Sequence, residues 1–248
     1  MWKLIQIDFK KTNKFVFLLP FISSILILLF AGISINFNIM EKHPWESYLL
    51  QTSMVIALFF PICMTLMCSN IANTEHRSNM WKQIFTFPLK KNNIYYAKLL
   101  ECLLIELFIF LFVITGFLIM GFILIDKSEM PLLLLLKAFA YLIIAYIPTI
   151  AFQLWLSLII KNQAFPLIIG IFLTIFSYTF NVFPFDIGRL LLWTFPSSVL
   201  PISLFIDKNQ NMSIIQTPNP VMYVGISIVA SLLIIILSKA HFINRDIH

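Results

Sequence analysis

The chain has 248 residues, 60% hydrophobic and only 11% charged, with 26 phenylalanines and a formal net charge of +6. A soluble domain of this size carries roughly twice that share of charge, so the composition leaves no room for a separate soluble domain and describes a protein built for lipid. Cys63, Cys68 and Cys102 all fall in apolar runs, where free thiols act as small hydrophobes, and no Cys–His spacing resembles a metal site.

Residues 1–14 place Trp2, Ile5 and Phe9 on one helical face against Lys3, Lys10 and Lys11. That is the pattern of a short helix lying in the membrane interface, with a frayed basic tail as the alternative. The apolar run that follows continues past the length of a signal-peptide core and lacks a small-residue cleavage site. A retained first helix is therefore expected. Six apolar stretches are each long enough to span the hydrocarbon core, at 15–37, 47–73, 99–125, 131–160, 164–183 and 220–240. Pro20 lies in the first turns of the first span, and Pro148 and Pro166 lie within or near the fourth and fifth, where neighbouring helices can support a kink.

Between the second and third spans lies the segment 75–98, which carries Arg77, Lys82, Lys90, Lys91 and Lys98 against the single acid Glu75. The second span is expected to end near Asn70 to Asn73, with the platform beginning at Glu75. As a helix the platform puts Met80, Ile84 and Phe87 on one face, Trp81 and Phe85 beside them, and Lys82 and Gln83 towards the other. Pro88 stops it, because proline cannot continue the hydrogen-bond ladder. LKKNN then reads as a turn, and Ile94 to Lys98 lead into the third span. An amphipathic helix, a proline stop and a basic turn make a knob at the membrane face; an ordinary basic loop explains the charge but not the apolar stripe.

Two acids lie in the third span. Glu101, a turn from the boundary, is expected to reach towards Lys98 or lipid headgroups. Glu106 lies about 8 residues, or roughly 12 Å, beyond Lys98. A carboxylate facing lipid there is costly, so Glu106 must face protein or water or be protonated. It either lines a subunit interface or tunes a conformational change, or else fixes packing through a partner such as Gln153 or Asn70.

The segment 184–219 is the longest of the loops assigned to the far side. Its apolar part, 188–206, is broken by Arg189, Pro196 and Pro201 and suits a re-entrant hairpin or a pair of short interfacial helices. The polar run DKNQNMSIIQTPNP follows.

With the N-terminus in the cytoplasm, six spans return the C-terminus there. Twelve of the 17 Lys and Arg then lie inside, while Glu41, Glu46, Asp126, Glu129, Asp186 and Asp207 lie outside. The bias fixes the orientation and accounts for the net charge, so no nucleic-acid partner follows from it. Walker-loop, zinc-protease and GxSxG motifs are absent, and the four histidines fall outside the expected spans.

These features resemble an ABC-2 type transporter permease, and more narrowly the small permease subunits of lantibiotic (bacteriocin) immunity exporters. The resemblance runs the full length, as a single transmembrane domain 1–248. It is carried by the amphipathic start, six spans and a large first cytoplasmic loop. Within that loop its marks are Glu75, Trp81-Lys82-Gln83, Pro88-Leu89-Lys90 and Ile94 to Lys98. In that family a glycine often follows the acid, and this chain has none in EHRSN. The resemblance implies an all-α fold with six transmembrane helices, of the type V exporter kind, with an N-terminal interfacial helix and an outer re-entrant hairpin. It also implies a paired second permease subunit, identical or related, and a dimer of cytoplasmic ABC ATPase subunits. Those ATPases would bind the ATP, and the chain itself would need no cofactor. The first loop would act as a coupling helix, with Glu75, Arg77, Trp81, Lys82, Ile84, Phe85 and Pro88 at the contact. A cationic amphipathic peptide is the cargo such exporters imply. A drug, lipid or polysaccharide exporter, or a non-transporting scaffold or sensor, are the competing readings.

Overall fold

The computed structural model describes residues 18–33, 43–77, 91–125, 130–182, 191–206 and 212–244. The chain forms α1 (Leu18–Ile33), α2 (Pro44–Arg77), α3 (Lys91–Leu124), α4 (Leu132–Ile159) and α5 (Ala164–Val182). A 3₁₀ turn (Leu192–Thr194), a one-turn helix α6 (Phe195–Ser198), two strands β1 (Ile202–Ile206) and β2 (Met212–Gln216), and α7 (Pro220–Asn244) complete it. The expected interfacial helix at 1–14 lies outside the described residues.

Among the described residues, α2, α3, α4 and α7 are long and apolar enough to cross a membrane, while Leu18–Ile33 and Ala164–Thr179 are shorter apolar helices. Pro61 inside α2 and Pro148 inside α4 do not end their helices, as expected where neighbours hold the backbone. Hydroxyls in this dry interior bond back to their own helices: Ser24 Oγ donates to Pro20 O at 2.7 Å, Thr52 Oγ1 to Tyr48 O at 2.8 Å, and Thr174 Oγ1 to Gly170 O at 2.7 Å. Such bonds let polar residues stay buried without water.

The bundle is built around α2, which packs against α1, α3, α4 and α5, while α4 also supports α7. The most apolar stretch of α2 is 61% buried and that of α4 50%, against 28% for α3 and 22% for α7. The first pair is therefore the core, and the second pair turns long rows of Leu, Ile and Phe towards lipid. One end of the bundle is closed by aromatics: Phe117 stacks on Tyr48 at 4.4 Å and meets Phe139 edge-on at 5.4 Å, with Trp45 beside it at 6.2 Å.

The chain after α5 turns back into the bundle. Thr149 Oγ1 donates to Leu192 O at 3.2 Å, and the Trp193 ring lies 5.6 Å from Phe152. Thr149 is 17 residues beyond Leu132 on α4, which places the 3₁₀ turn about 25 Å from that end of the helix. From there α6 climbs past Ala145 and Val224, and β1 pairs antiparallel with β2 in the register Ile202↔Gln216 to Ile206↔Met212. The strand pair adds to the helical reading of the sequence. Two short apolar runs, ISLFI and MSIIQ, flank the polar DKNQN, a spacing that favours a hairpin over helix.

Candidate coupling site

The segment that the sequence singles out leaves from one end of the bundle, here called the platform end. Trp81, Lys82, Ile84, Phe85 and Pro88 lie outside the described residues. Glu75 and Arg77 are placed by their backbone alone, in the last turn of α2. The expected break at Asn70 to Asn73 does not occur, and α2 runs unbroken for 34 residues. NIANTEHR holds no Pro or Gly, and two of its polar side chains serve the helix: Asn70 Nδ2 donates to Leu66 O at 2.9 Å and Thr74 Oγ1 to Ile71 O at 2.9 Å. The expected turn at LKKNN is also corrected in part, because Lys91, Asn92 and Asn93 already belong to α3. Lys91 Nζ donates to Ile243 O at 3.1 Å, so this first turn is held by α7.

Both helices that bracket the loop are tied to the rest of the bundle at this end. On the α2 side, the His76 ring donates from Nε2 to Ser157 O of α4 at 3.2 Å. On the α3 side, Tyr95 hydrogen-bonds Ser238 of α7, and Lys239 Nζ donates to the Tyr96 hydroxyl at 3.4 Å while lying 5.5 Å from its ring centroid. Trp155 Nε1 donates to His241 Nδ1 at 3.3 Å and joins α4 to α7. The cations Lys91 and Lys239 thus gather at the C-terminal end of α7, where the helix dipole and its last carbonyls favour positive charge. His76 and His241 are helical, where the sequence reading set them in loop and tail. Among the described residues no group of His, Cys, Asp and Glu could hold a metal ion. Four helix ends form one braced foot, and 78–90 joins two of them. These bonds connect the two helices that bracket 78–90 to α4 and α7.

Of the two expectations for Glu101, Lys98 or the headgroups, burial removes the headgroups. Glu101 is fully buried, and Lys98 is 1% exposed. The reason is the length of α3: with its start at Lys91, both side chains lie two turns or more inside the helix and face its packed side. Lys91 was read from sequence only as one of the basic residues of 75–98 and Tyr95 only as part of Ile94 to Lys98, while the foot residues His76, Trp155 and Ser238 were not singled out. Their common signal, polar or aromatic groups within three turns of a span boundary, is too general to pair them.

Glu106 lies deeper in α3 and is 1% exposed. Neither expected partner reaches it: Asn70 bonds within α2, and Gln153 Nε2 donates to Pro166 O at 2.9 Å. Glu106 Oε1 and the Tyr146 hydroxyl each lack a hydrogen-bond partner. Tyr146 lies within electrostatic range of Glu106, and its ring packs on Phe60 at 4.4 Å and Phe110 at 6.0 Å. The carboxyl is therefore buried within range of Tyr146, with an open oxygen.

A long-helix bundle with lipid-facing outer helices and one braced, basic end defines a multi-pass membrane protein. Residues 4–177 match the model of the ABC-2 family transporter proteins, and the chain belongs to that family. It is thus the transmembrane permease subunit of an ABC transporter rather than the ATPase, and membership implies an ABC ATPase partner. A search of the curated proteins finds no match to this sequence.

Proposed function

We propose that this chain is the permease half of a bacterial plasma-membrane exporter that expels a lantibiotic or similar cationic amphipathic peptide, giving self-immunity. Two copies, or this chain and a related one, pair in the membrane, and an ABC ATPase dimer docks beneath residues 75–88. Both termini face the cytoplasm, in keeping with the bias of basic residues towards the segments on the platform side. The observation that carries the coupling reading is the braced foot: the two helices leaving the loop are hydrogen-bonded to α4 and α7. Closure of the ATPases pushes Trp81, Ile84 and Phe85 against their groove, with Glu75, Arg77, Lys82 and Pro88 setting the angle. The displacement passes through α2, the most buried of the long helices, into the packing of the bundle.

Peptide cargo is supported by the many lipid-facing phenylalanines and by the acidic tilt of the segments opposite the platform. Glu106, open on one oxygen inside the core, serves the conformational change rather than packing, since no packing partner holds that oxygen.

The direct test is a gentle-detergent pull-down of the tagged chain from its host, with mass spectrometry of what stays bound. An ATPase that is lost on Trp81→Ala with Lys82→Glu supports the reading. A clean chain, under conditions that preserve a control transporter, refutes it in favour of a scaffold. Protection of cells against nisin-like peptides, with small-drug sensitivity unaltered, separates peptide cargo from a drug; the reverse pattern assigns the drug.

A further inference from the structure

Two of the three cysteines face one another across the helix pair that brackets the loop. Cys68 of α2 and Cys102 of α3 have their sulfurs 3.6 Å apart, and both side chains are fully buried. The third, Cys63, is also a buried free thiol, on α2. Cys68 lies nine residues before the end of α2 at Arg77, and Cys102 lies 11 residues after the start of α3 at Lys91. At the helical rise these are about 13 and 16 Å below the loop, so the pair lies just beneath the foot. A sulfur–sulfur gap of 3.6 Å must close by about 1.5 Å to reach bonding distance. Side-chain rotation and helix separation would have to supply that closure.

We propose that Cys68 and Cys102 are an oxidative modification site, a thiol pair that hydrogen peroxide converts to an α2–α3 disulfide and so locks the helices that carry the coupling loop. One sulfur attacks the peroxide, the O–O bond breaks, and a sulfenic acid and one water form. The second sulfur then attacks the sulfenic sulfur, the S–O bond breaks, and a second water leaves as the S–S bond forms. The two thiols together lose two electrons, one peroxide gains them, and both thiol protons end in the two waters. Hydrogen peroxide is close to water in size and crosses membranes, so it suits a site closed to larger oxidants. The positions of the pair decide its consequence. A bond here joins residues 34 apart in sequence and removes the freedom of α2 and α3 to slide past one another under the loop. The locking effect rests on the coupling role proposed above, while formation of the bond does not.

The test uses the full chain with its co-purified ATPase in lipid nanodiscs, treated with hydrogen peroxide and then with dithiothreitol. Non-reducing peptide mass spectrometry is expected to show Cys68 linked to Cys102 in the native chain and in Cys63→Ser, and no link in Cys68→Ser or Cys102→Ser. Peptide-stimulated ATP turnover is expected to fall to the unstimulated level on oxidation, to return on reduction, and to resist peroxide in the two unlinked variants. Absence of the linked peptide, with a control thiol pair linked in the same sample, overturns the site. A linked peptide with unchanged turnover overturns the locking role. A linked peptide in a chain that carries no ATPase supports the site and refutes the coupling reading instead.

Discussion

Gly121 offers a sharp test of the packing at the aromatic end. A methyl group built there would lie 2.4 Å from Cζ3 and 2.6 Å from Cη2 of Trp45, against an optimum of about 3.5–4.0 Å between carbons. The indole would have to retreat by about 1 Å. It cannot do so alone, because it is fully buried with Phe122 at 5.7 Å and Phe117 at 6.2 Å, and Phe117 is itself stacked on Tyr48. Overfilling a packed site of this kind costs about 1–3 kcal/mol. Gly225→Ala is the matched control: it makes the same exchange inside a helix, yet nothing lies within 4 Å of its new methyl. The difference between the two variants isolates the clash and should shift the unfolding equilibrium by a factor of about 5–150. Reversible unfolding in mixed micelles, followed by tryptophan fluorescence, measures it. Equal unfolding of Gly121→Ala and Gly225→Ala would refute the close approach of α3 to Trp45.

Two further variants probe the foot and the buried carboxyl. Tyr95→Phe removes one of the α3–α7 hydrogen bonds but leaves Ser238 bonded to Ile235 O at 3.2 Å, so stability should fall by about 0.5–1.5 kcal/mol in the same unfolding assay; a loss above about 3 kcal/mol would mean that the variant disturbs more than this bond. Glu106→Gln keeps the size of a side chain whose Oε1 has no partner, so the unfolding midpoint should hold while peptide export in a protection assay declines; unchanged export would show the acid to be dispensable.

The long helices were the most legible part of the sequence, because runs of more than 20 apolar residues have few alternatives in a chain of this composition. Helix ends were less so. Asn70 and Asn73 look like a boundary, and LKKNN looks like a turn, yet α2 and α3 continue through or into them because polar side chains can hydrogen-bond along a helix as readily as they cap it. That extra length carried Lys98 and Glu101 from the expected span boundary into the packed interior. The strand pair Ile202–Ile206 and Met212–Gln216 was readable as two short apolar runs on either side of DKNQN, but the prolines before it drew the reading elsewhere. The bonds of the foot were not legible at all. Each joins residues 81 to 152 positions apart, and only the packing of α2, α3, α4 and α7 brings them together. The same holds for Cys68 and Cys102, whose spacing says nothing about which helix faces meet.

Transmission of ATPase motion by the loop between α2 and α3 is measured most directly by peptide-stimulated ATP hydrolysis in the reconstituted complex. Trp81→Ala combined with Lys82→Glu should reduce turnover to the unstimulated level while leaving the unfolding of the chain unaltered. Full peptide-dependent turnover in the double variant would contradict the coupling role of the loop.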